Sequence, residues 1–360
     1  MEPVKYTAVS GTEDGIIEEK RRNTSPWLHY GSFGLILLMS CIASSILTAT
    51  YVSTNITAPI MLTHGSTSSV CEVPPTRREW RSLHNSERKN YVESVKCLTK
   101  LPSAMRDDGT LYDDFVYVHM SIGQESHFSA SFLPWHRMFL HIFESTLIDK
   151  CGFHGNLPYW DWASDWQSLD TSSIWDTVHG FGGDGNVSVR SPIAAGNCVT
   201  QGPFSDLQLL FYNKTKLPHC LTRGFKNYQT EELGSLFGEQ FKPFEMGRLI
   251  TAQNYDHFRE MIEWTVHNAM HWGIRGDFGQ DSAANDPLFW LHHTQLDRLW
   301  WLWQQENPGK RLVEYAGQGF NTTTSGPASM QDSLNYTGVG DYFKVFQAMN
   351  TKTDILCYRY

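Results

Sequence analysis

Six histidines that fall into two groups are the residues of this sequence best suited to chemistry. The first group comprises His119, His127 and His136, and the second comprises His267, His271 and His293. Imidazole nitrogens bind zinc, copper, iron and nickel. Three imidazoles can hold one metal ion and leave a coordination position open for a substrate. The two groups therefore predict two metal sites with three imidazole ligands each.

The second group begins with residues spaced for one face of a helix. Glu263, His267 and His271 follow one another at intervals of four, so their side chains project from the same face. An isolated histidine pair with this spacing is more often a packed or solvated face than a metal site. A third histidine from the next helix favours the metal site here.

That third histidine has two candidates, His292 and His293. His293 is followed one helical turn later by Asp297, which places a carboxylate where it can accept the second N–H of the imidazole. Carboxylates in this position fix the orientation and basicity of a metal-bound histidine. We therefore predict His293 as the ligand, Asp297 as its partner, and His292 as a neighbour of the ligands.

The ligand types narrow the choice of metal. Di-iron bundles draw on Glu and Glu-x-x-His ligands, and zinc proteases use His-Glu-x-x-His. The segment from His267 to His271 reads His-Asn-Ala-Met-His and lacks that glutamate. Six neutral imidazoles without a carboxylate favour a metal that cycles between single and double positive charge, which points to a pair of copper ions.

Helical periodicity surrounds both groups. Asp286 and Pro287 give the last helix a start signal. Four of the predicted helices adjoin the histidines, so we predict a mainly α fold in which a four-helix bundle holds the dicopper centre. Apolar residues recur at helical spacing over residues 79–98, 113–122, 134–149, 255–272 and 287–305.

Residues 162–245 are rich in Gly, Ser and Asn, which predicts long irregular loops. Within them, Gly180, Gly182 and Gly185 match the Gly-x-Gly-x-x-Gly pattern of dinucleotide-binding loops. No apolar strand precedes the pattern and no helical pattern follows it, although phosphate binding requires both. We interpret this segment as a flexible turn.

A charge-free segment near the N-terminus predicts a membrane anchor, because it is long enough to cross a bilayer as a helix. The alternative is a cleaved signal peptide, but the polar leader is too long for one. The predicted organisation is a cytosolic tail (1–31), a single transmembrane signal anchor (32–52), a stalk (53–70) and a catalytic domain (71–360).

The charges beside the span predict its orientation. Lys20, Arg21 and Arg22 precede it, whereas the next cation is Arg77, so the N-terminus is expected in the cytosol. The catalytic domain is then expected in the lumen of the secretory pathway or outside the cell. Downstream Asn-x-Ser/Thr triplets agree and predict glycosylation. They lie at Asn55, Asn186, Asn213, Asn321 and Asn335.

Six cysteines also lie downstream of the span, at Cys71, Cys97, Cys151, Cys198, Cys220 and Cys357. In an oxidising compartment they predict up to three disulfides, and the sequence leaves fifteen pairings open. The net charge of -9 comes from scattered carboxylates, which argues against a nucleic-acid partner. The expected partner is a small molecule or a peptide.

Long motifs around both histidine groups carry a resemblance. The first group contains FLPWHR, which ends at Arg137, and the second contains DPLFWLHHTQLDRLW, which ends at Trp300. The last residues, Tyr358-Arg359-Tyr360, are similar to the Tyr-x-Tyr element that closes a tyrosinase catalytic domain. From Cys71 onward the chain resembles the tyrosinase family of type 3 dicopper proteins, especially fungal membrane-anchored members of secondary metabolism.

The resemblance implies that the first histidine group holds one copper ion, CuA, that the second group holds another, CuB, and that O2 is the co-substrate. It implies o-hydroxylation of monophenols, oxidation of o-diphenols to o-quinones, or both. A tyrosine-like or peptidyl-tyrosine substrate in secondary metabolite or toxin biosynthesis follows by analogy. The alternatives are a catechol oxidase without monophenolase activity and an O2-binding protein similar to haemocyanin.

Matches to the family imply roles for further residues. A glutamate before the first CuB histidine and an asparagine after it hold a basic water in the family, and Glu263 and Asn268 match them. The resemblance therefore implies monophenolase as well as diphenolase activity. Phe289 matches the aromatic beside the copper pair, and Trp272 stands where the family varies its substrate entrance.

The sequence departs from the family pattern in two places. Glu125 stands where many members carry a cysteine that forms a thioether to the second CuA histidine, so no thioether is expected. Fungal members often continue into a domain that shields the site until it is removed, whereas this chain stops at Tyr360. We expect no activation of that kind.

Overall fold

Long helices dominate the part of the chain that the computed structural model describes, residues 70–193 and 195–360. The mainly α prediction is confirmed, and helices occupy the segments expected at 113–122, 134–149 and 287–305. In chain order the α-helices are α1 (Asn85–Leu98), α2 (Leu111–Ser121), α3 (Phe132–Cys151), α4 (Pro243–Ile250), α5 (Tyr255–Ile262), α6 (Asn268–Ile274), α7 (Leu288–Glu306), α8 (Pro308–Arg311) and α9 (Val345–Met349).

Two predicted helices are interrupted. The one expected over residues 79–98 begins as a 3-10 turn, Trp80–Ser82, and α1 starts only after the extended backbone of Leu83. The one expected over residues 255–272 contains a π-helical turn, Glu263–His267, between α5 and α6. There the N–H of Asn268 donates to the carbonyl oxygen of Glu263, five residues earlier. Such turns are frequent at functional sites.

The helices that carry the histidines have defined starts. Thr110 caps α2, because its hydroxyl accepts from the N–H of Asp113, whose carboxylate accepts from the N–H of Thr110 at 2.8 Å. Asp286 accepts from the N–H of Leu288 at 3.0 Å, as a capping side chain would, although the N-cap is Pro287 and α7 begins at Leu288, one residue later than predicted. Each cap satisfies backbone donors that the first helical turn leaves without partners.

The aromatic core lies between α3 and α7. The rings of Phe143 on α3 and Trp290 on α7 stack with centroids 3.5 Å apart, and Phe115 on α2 meets both rings edge-on. These side chains are fully buried. Burial of this much aromatic area fixes the two central helices and, with them, the histidines that they carry.

Short strands interrupt the long loops predicted between residues 162 and 245. The unpredicted element there is a hairpin of β2 (Gln208–Tyr212) and β3 (Thr215–Cys220), in which the side chains of Leu209 and Phe211 are buried. Asn213 and Lys214 form its turn with φ values of 45° and 63°, the positive values that a two-residue hairpin turn requires. The strands are β1 (Asn197–Cys198), β2 (Gln208–Tyr212), β3 (Thr215–Cys220), β4 (Thr222–Arg223), β5 (Ser333–Leu334) and β6 (Phe343–Lys344).

The six cysteines form the three expected disulfides. Cys97–Cys151 joins the ends of α1 and α3, Cys198–Cys220 joins β1 to β3, and Cys71–Cys357 links two segments 286 residues apart. Bridges of this kind limit the freedom of the unfolded chain, and the effect grows with the length of the loop that they close, so it is largest for Cys71–Cys357.

The glycine-rich segment at residues 180–185 is a packed turn. No strand or helix adjoins it among the described residues, in agreement with the rejection of a dinucleotide site. A Cβ on Gly185 would lie 2.2 Å from the carbonyl oxygen of Asn197, and one on Gly182 would lie 2.3 Å from that of Gln201. Close backbone packing, rather than the flexibility that the sequence suggested, explains these glycines.

The predicted tail and transmembrane span, all but the last residue of the predicted stalk, and Asn55 lie outside the described residues. Among the described helices, none combines the length and the apolar character needed to cross a membrane.

Candidate metal centre

Each predicted histidine triad comes together in space. His119 lies on α2, His136 on α3 and His293 on α7, while His267 ends the π turn and His271 follows on α6. The remaining ligand, His127, follows the 3-10 turn Gly123–Ser126. The ligand nitrogens within each group lie within 4.8 Å of one another. The predicted four-helix setting therefore supplies five of the six histidines.

Hydrogen bonds orient the three rings of the first triad. Nδ1 of His127 lies 3.0 Å from the carbonyl oxygen of Gly123, and Nδ1 of His136 lies 2.8 Å from that of Phe132. Nδ1 of His119 lies 2.8 Å from the carbonyl oxygen of Asp281, in a distant loop. Because a carbonyl oxygen only accepts, each Nδ1 carries the hydrogen and each Nε2 keeps its lone pair.

The second triad is oriented in the same way. Nδ1 of His267 lies 3.0 Å from the side-chain oxygen of Asn268, and Nδ1 of His271 donates to the carbonyl oxygen of Phe278. Both Nε2 atoms are thereby left as acceptors, and they face each other at 3.0 Å. In the first triad, Nε2 of His119 and of His136 lie 3.4 Å apart.

Two facing lone pairs repel each other unless a cation lies between them. Two nitrogens that each bind a metal at about 2.0 Å in tetrahedral geometry lie roughly 3.3 Å apart, close to the distances in both triads. Donor chemistry and spacing therefore fit one imidazole-bound metal ion in each triad. Their ligand sets contain no carboxylate, in keeping with the choice of copper over di-iron.

His292 and His293 both lie within ligand distance of His267 and His271. Neither ring nitrogen of either residue has a hydrogen-bond partner among the described residues. The ring of His293 stacks on that of His136 with centroids 4.3 Å apart, so His293 faces both triads. The ring of His292 instead packs against Phe278 and Trp162. Position between the triads favours His293 as the ligand.

The predicted hydrogen bond from His293 to Asp297 is wrong. The Asp297 carboxylate accepts from Nε of Arg137 at 2.5 Å and from the hydroxyls of Tyr358 and Tyr360 at 2.6 and 2.5 Å. A guanidinium forms a stronger, charge-assisted bond than a neutral imidazole, and it takes the carboxylate away from His293. Asp297 thus ties the C-terminal tyrosines and α3 to α7.

Burial keeps the ligand histidines neutral. It lowers the pKa of His127 and of His271 to about 4, chiefly because the charged ring would lose its hydration. The pKa of His293 falls well below its ordinary value for the same reason, and the neighbouring imidazoles add to the effect. A metal ion needs the neutral ring, so these histidines are ready to bind one at neutral pH.

An open cavity of about 240 Å³ leads to the histidines. Asn268, Trp272 and Phe128 line it together with His119, His127, His267 and His271. Phe128 and Trp272 are exposed, and the ring of Phe128 lies tilted against that of Trp264 with centroids 4.7 Å apart. Trp272 therefore lies at the entrance, as expected, and aromatic side chains form the rim.

Phe289 packs beside both triads, as the sequence predicted. Its ring centroid lies 4.2 Å from that of His293 and 4.8 Å from that of His119. The side chain is fully buried and is not among the residues that line the cavity, so it contributes an apolar wall next to the histidines.

Glu263 is fully buried next to the second triad. Its Oε1 accepts from the backbone N–H of Phe128 at 2.7 Å, and its Oε2 lies 3.8 Å from the guanidinium of Arg259. Burial raises the pKa of Glu263 to about 8, although the Phe128 N–H and Arg259 act against the rise. The carboxylate reaches the cavity through Phe128, whereas Asn268 lines it directly.

A family model, the common central domain of tyrosinase, matches residues 109–306, which include all six histidines. The chain belongs to the tyrosinase family. It is 46% identical over 295 residues to tyrosinase-like protein phomQ2 from Diaporthe leptostromiformis, covering 82% of this chain and 75% of that relative. It is 45% identical over 312 residues to tyrosinase ustQ from Aspergillus flavus, covering 85% and 86%.

Solved structures agree with the fold. A polyphenol oxidase from Thermothelomyces thermophila superposes with a TM-score of 0.68 at 27% sequence identity, over 80% of this chain and 88% of that one. The helical framework is thus that of a tyrosinase-like copper oxidoreductase.

The sequence did not reveal the backbone groups that orient the triads. The carbonyls of Phe278 and Asp281 each hold one histidine, yet a carbonyl leaves no mark in the residue type. The sequence does indicate that the chain turns at Gly276, because a glycine just after a helix often marks a sharp change of direction. The structure has this turn, with a φ of 54° at Gly276.

Proposed function

We propose that this protein oxidises phenols with O2, using one copper ion on each histidine triad. CuA would be held by His119, His127 and His136, and CuB by His267, His271 and His293. The observation that carries the proposal is the pair of facing Nε2 atoms in each triad, at 3.4 and 3.0 Å. Copper bound there would supply O2 binding and two-electron oxidation of the ring.

The cavity supports a substrate with a single aromatic ring at the reacting end. Its volume of about 240 Å³ is below the roughly 300 to 1,000 Å³ typical of drug-sized ligands. Phe128 and Trp272 offer ring faces at an exposed mouth, so the rest of a larger molecule can remain outside. A tyrosine-like phenol or a tyrosine within a peptide fits this arrangement.

Glu263 and Asn268 are proposed to act on the phenolic proton. A buried carboxylate with a pKa raised to about 8 is a stronger base than an ordinary glutamate. Asn268 lines the cavity and holds His267 by its side-chain oxygen, which leaves its amide N–H groups for the substrate or a water. The proton would pass to Glu263 beside the N–H of Phe128. Monophenolase activity follows from this role.

A catechol oxidase without monophenolase activity is the second candidate. Glu263 is fully buried and meets the cavity only through Phe128, and this observation favours a site that takes electrons from a catechol without removing a phenolic proton. A reversible O2-binding protein would turn over neither class of substrate.

The setting of the reaction is also proposed. The relatives phomQ2 and ustQ come from fungi, and we infer a role in fungal secondary metabolite or toxin biosynthesis. The span at 32–52 would anchor the protein as a single-pass membrane protein with a cytosolic N-terminus. The catalytic domain would then face the secretory lumen or the exterior. Asn186, Asn213 and Asn321 are exposed and Asn335 is half-buried, so the described sequons can meet the glycosylation machinery.

The test compares three substrates on the copper-loaded full chain. We expect about two copper ions per chain and O2 consumption with free tyrosine, a tyrosine-containing peptide and a catechol. The variant Glu263→Gln should lose monophenol turnover by about 100-fold or more relative to catechol turnover, the usual contribution of a general base. Glu260→Gln, an exposed neighbour, is the matched control.

Each candidate has its own outcome in this test. Turnover of the catechol alone by the unaltered protein would establish the second candidate. Copper binding without turnover of any phenol would leave only the O2-binding protein, and less than about one copper per chain would refute the metal assignment.

A further inference from the structure

One short loop holds a histidine from each triad. We call residues 276–281 the strap. Within it, the carbonyl oxygen of Phe278 accepts from Nδ1 of His271, and that of Asp281 accepts from Nδ1 of His119 at 2.8 Å. His127 and His136 instead use carbonyls four residues earlier in their own segments. The strap is therefore a part of the site that acts on both metal positions at once.

A buried carboxylate anchors the strap from its protein side. Asp277 is fully buried. Its Oδ1 accepts from Nε2 of His219 and from the side-chain amide of Asn285, each at 2.8 Å, and its Oδ2 accepts from the backbone N–H of Thr222 at 2.9 Å. Three donors from separate segments thus fix the residue that immediately precedes Phe278.

The surroundings of His219 specify its charge. Nε2 faces the Asp277 carboxylate at 2.8 Å and Nδ1 faces the carbonyl oxygen of Leu217 at 2.5 Å. A carbonyl oxygen only accepts, so Nδ1 donates to it. Burial opposes a charge on His219, but the adjacent Asp277 carboxylate outweighs that effect and raises the pKa of His219. The doubly protonated imidazolium then donates from both nitrogens. The His219 side chain is fully buried. An ion pair of this kind is costly to break on one side only.

The hairpin beneath the strap is itself constrained. Cys220, next to His219, is bridged to Cys198, and the strands around this bridge pair β1 with β4. A Cβ on Gly276 would lie 2.1 Å from the carbonyl oxygen of Thr222, so the strap begins in direct contact with β4, which follows the hairpin after a single residue. Movement of His219 would consequently move the strap.

We propose that His219 is a positioning residue for both metal sites, acting through Asp277 and the strap carbonyls on His119 and His271. The proposal rests on the proposed copper function only in that the triads bind a metal. His219 touches neither substrate nor metal. Its imidazolium holds Asp277, Asp277 holds the strap, and the strap keeps the two Nε2 lone pairs directed at the metal positions.

The test measures copper affinity rather than activity alone. Competition with a copper chelator should show that His219→Gln weakens copper retention by about 10-fold or more, the lower end for partners beyond the ligands. His219→Lys keeps a cation for Asp277 and should recover part of the loss. The matched control is His154→Gln, because His154 is an exposed histidine remote in sequence from the strap.

A second measurement needs no variant. Hydrogen exchange of the unaltered chain with and without bound copper should show slower exchange of the strap amides when copper locks His119 and His271. Unchanged strap exchange in copper-bound protein would overturn the proposal. So would His219→Gln protein that unfolds more easily than His154→Gln yet retains copper equally well, which is the signature of a merely structural role. Failure of the unaltered chain to bind copper would instead refute the proposed function.

Discussion

The buried carboxylate of Glu263 gives a stability prediction that needs neither substrate nor copper. In the folded metal-free protein its pKa is about 8, against an ordinary value of 4.5. The folded state therefore holds the proton more tightly than the unfolded state does. The stability contributed by this bound proton is fully present at pH values below the pKa of Glu263 in the unfolded state. It is lost as the pH rises through the pKa of Glu263 in the folded state.

The magnitude follows from the size of the shift. Each pKa unit corresponds to about 1.36 kcal/mol, so ionisation of Glu263 costs the folded state at most about 5 kcal/mol at high pH. Between about pH 5 and pH 7 the loss amounts to roughly 2.5 kcal/mol. Glu263→Gln has the shape of the protonated acid and cannot ionise, so it should lack this loss.

The assay is denaturant unfolding of the metal-free protein with its disulfides intact, at several pH values. The ligand histidines also change stability with pH, in the opposite direction, but they do so equally in both proteins and cancel in the difference. The stability of Glu263→Gln minus that of the unaltered protein should rise by roughly 2.5 kcal/mol between about pH 5 and pH 7. For Glu260→Gln, the difference in stability from the unaltered protein should not change with pH. If the difference for Glu263→Gln is equally independent of pH, the raised pKa of Glu263 is refuted.

Three further predictions follow from the site and its surroundings. His293→Gln should leave about one copper per chain by metal analysis, whereas His292→Gln should retain about two, because only the ring of His293 also faces the first triad; the reverse result would exchange their roles. Asp297→Asn should lower the free energy of unfolding by about 3 to 5 kcal/mol, because it leaves the buried guanidinium of Arg137 without its charge partner. Denaturant titrations measure this loss, and a loss below about 1 kcal/mol would contradict the prediction. Asn321 is exposed and lines the cavity mouth, so a glycan on it would obstruct large substrates. Asn321→Gln made in a glycosylating host should therefore turn over a bulky phenol several-fold faster, with little change for a small phenol. Equal effects on both phenols, or the absence of a glycan by mass spectrometry, would refute a role for this sequon.

The elements that the sequence predicted well are those governed by local pattern. Apolar periodicity located α2, α3 and α7 because these helices bury a continuous stripe against the core. The start of α7 followed from Asp286, whose carboxylate accepts from the backbone N–H of Leu288 in addition to its ion pair with Arg223. The triads followed from residue type, since three imidazoles near one another have few structural uses.

The errors came from interactions that spacing along the chain does not contain. The Asp297 assignment assumed that a carboxylate one turn from His293 would bond to it. Arg137, Tyr358 and Tyr360 arrive from other segments and bind that carboxylate instead. Likewise, the strap orients His119 and His271 through backbone carbonyls, which every residue has. Sequence reasoning could rank candidate partners by spacing, but the competition among them is decided by tertiary packing.

The placement of charge around the site has a common logic. The imidazoles of both triads are neutral and surrounded by apolar side chains such as Phe289, because any resident proton would compete with the metal. In the described part of the chain, charged side chains do not bond to the ligand histidines and instead form ion pairs next to the segments that carry or orient them. Asp277 with His219 secures the strap, and Asp297 with Arg137 secures α3 against α7. Ion pairs at this distance can hold the ligand-bearing segments rigidly without occupying a ligand nitrogen. A charged partner bonded directly to a ligand, such as the one predicted for His293, is therefore unnecessary for orientation in this fold.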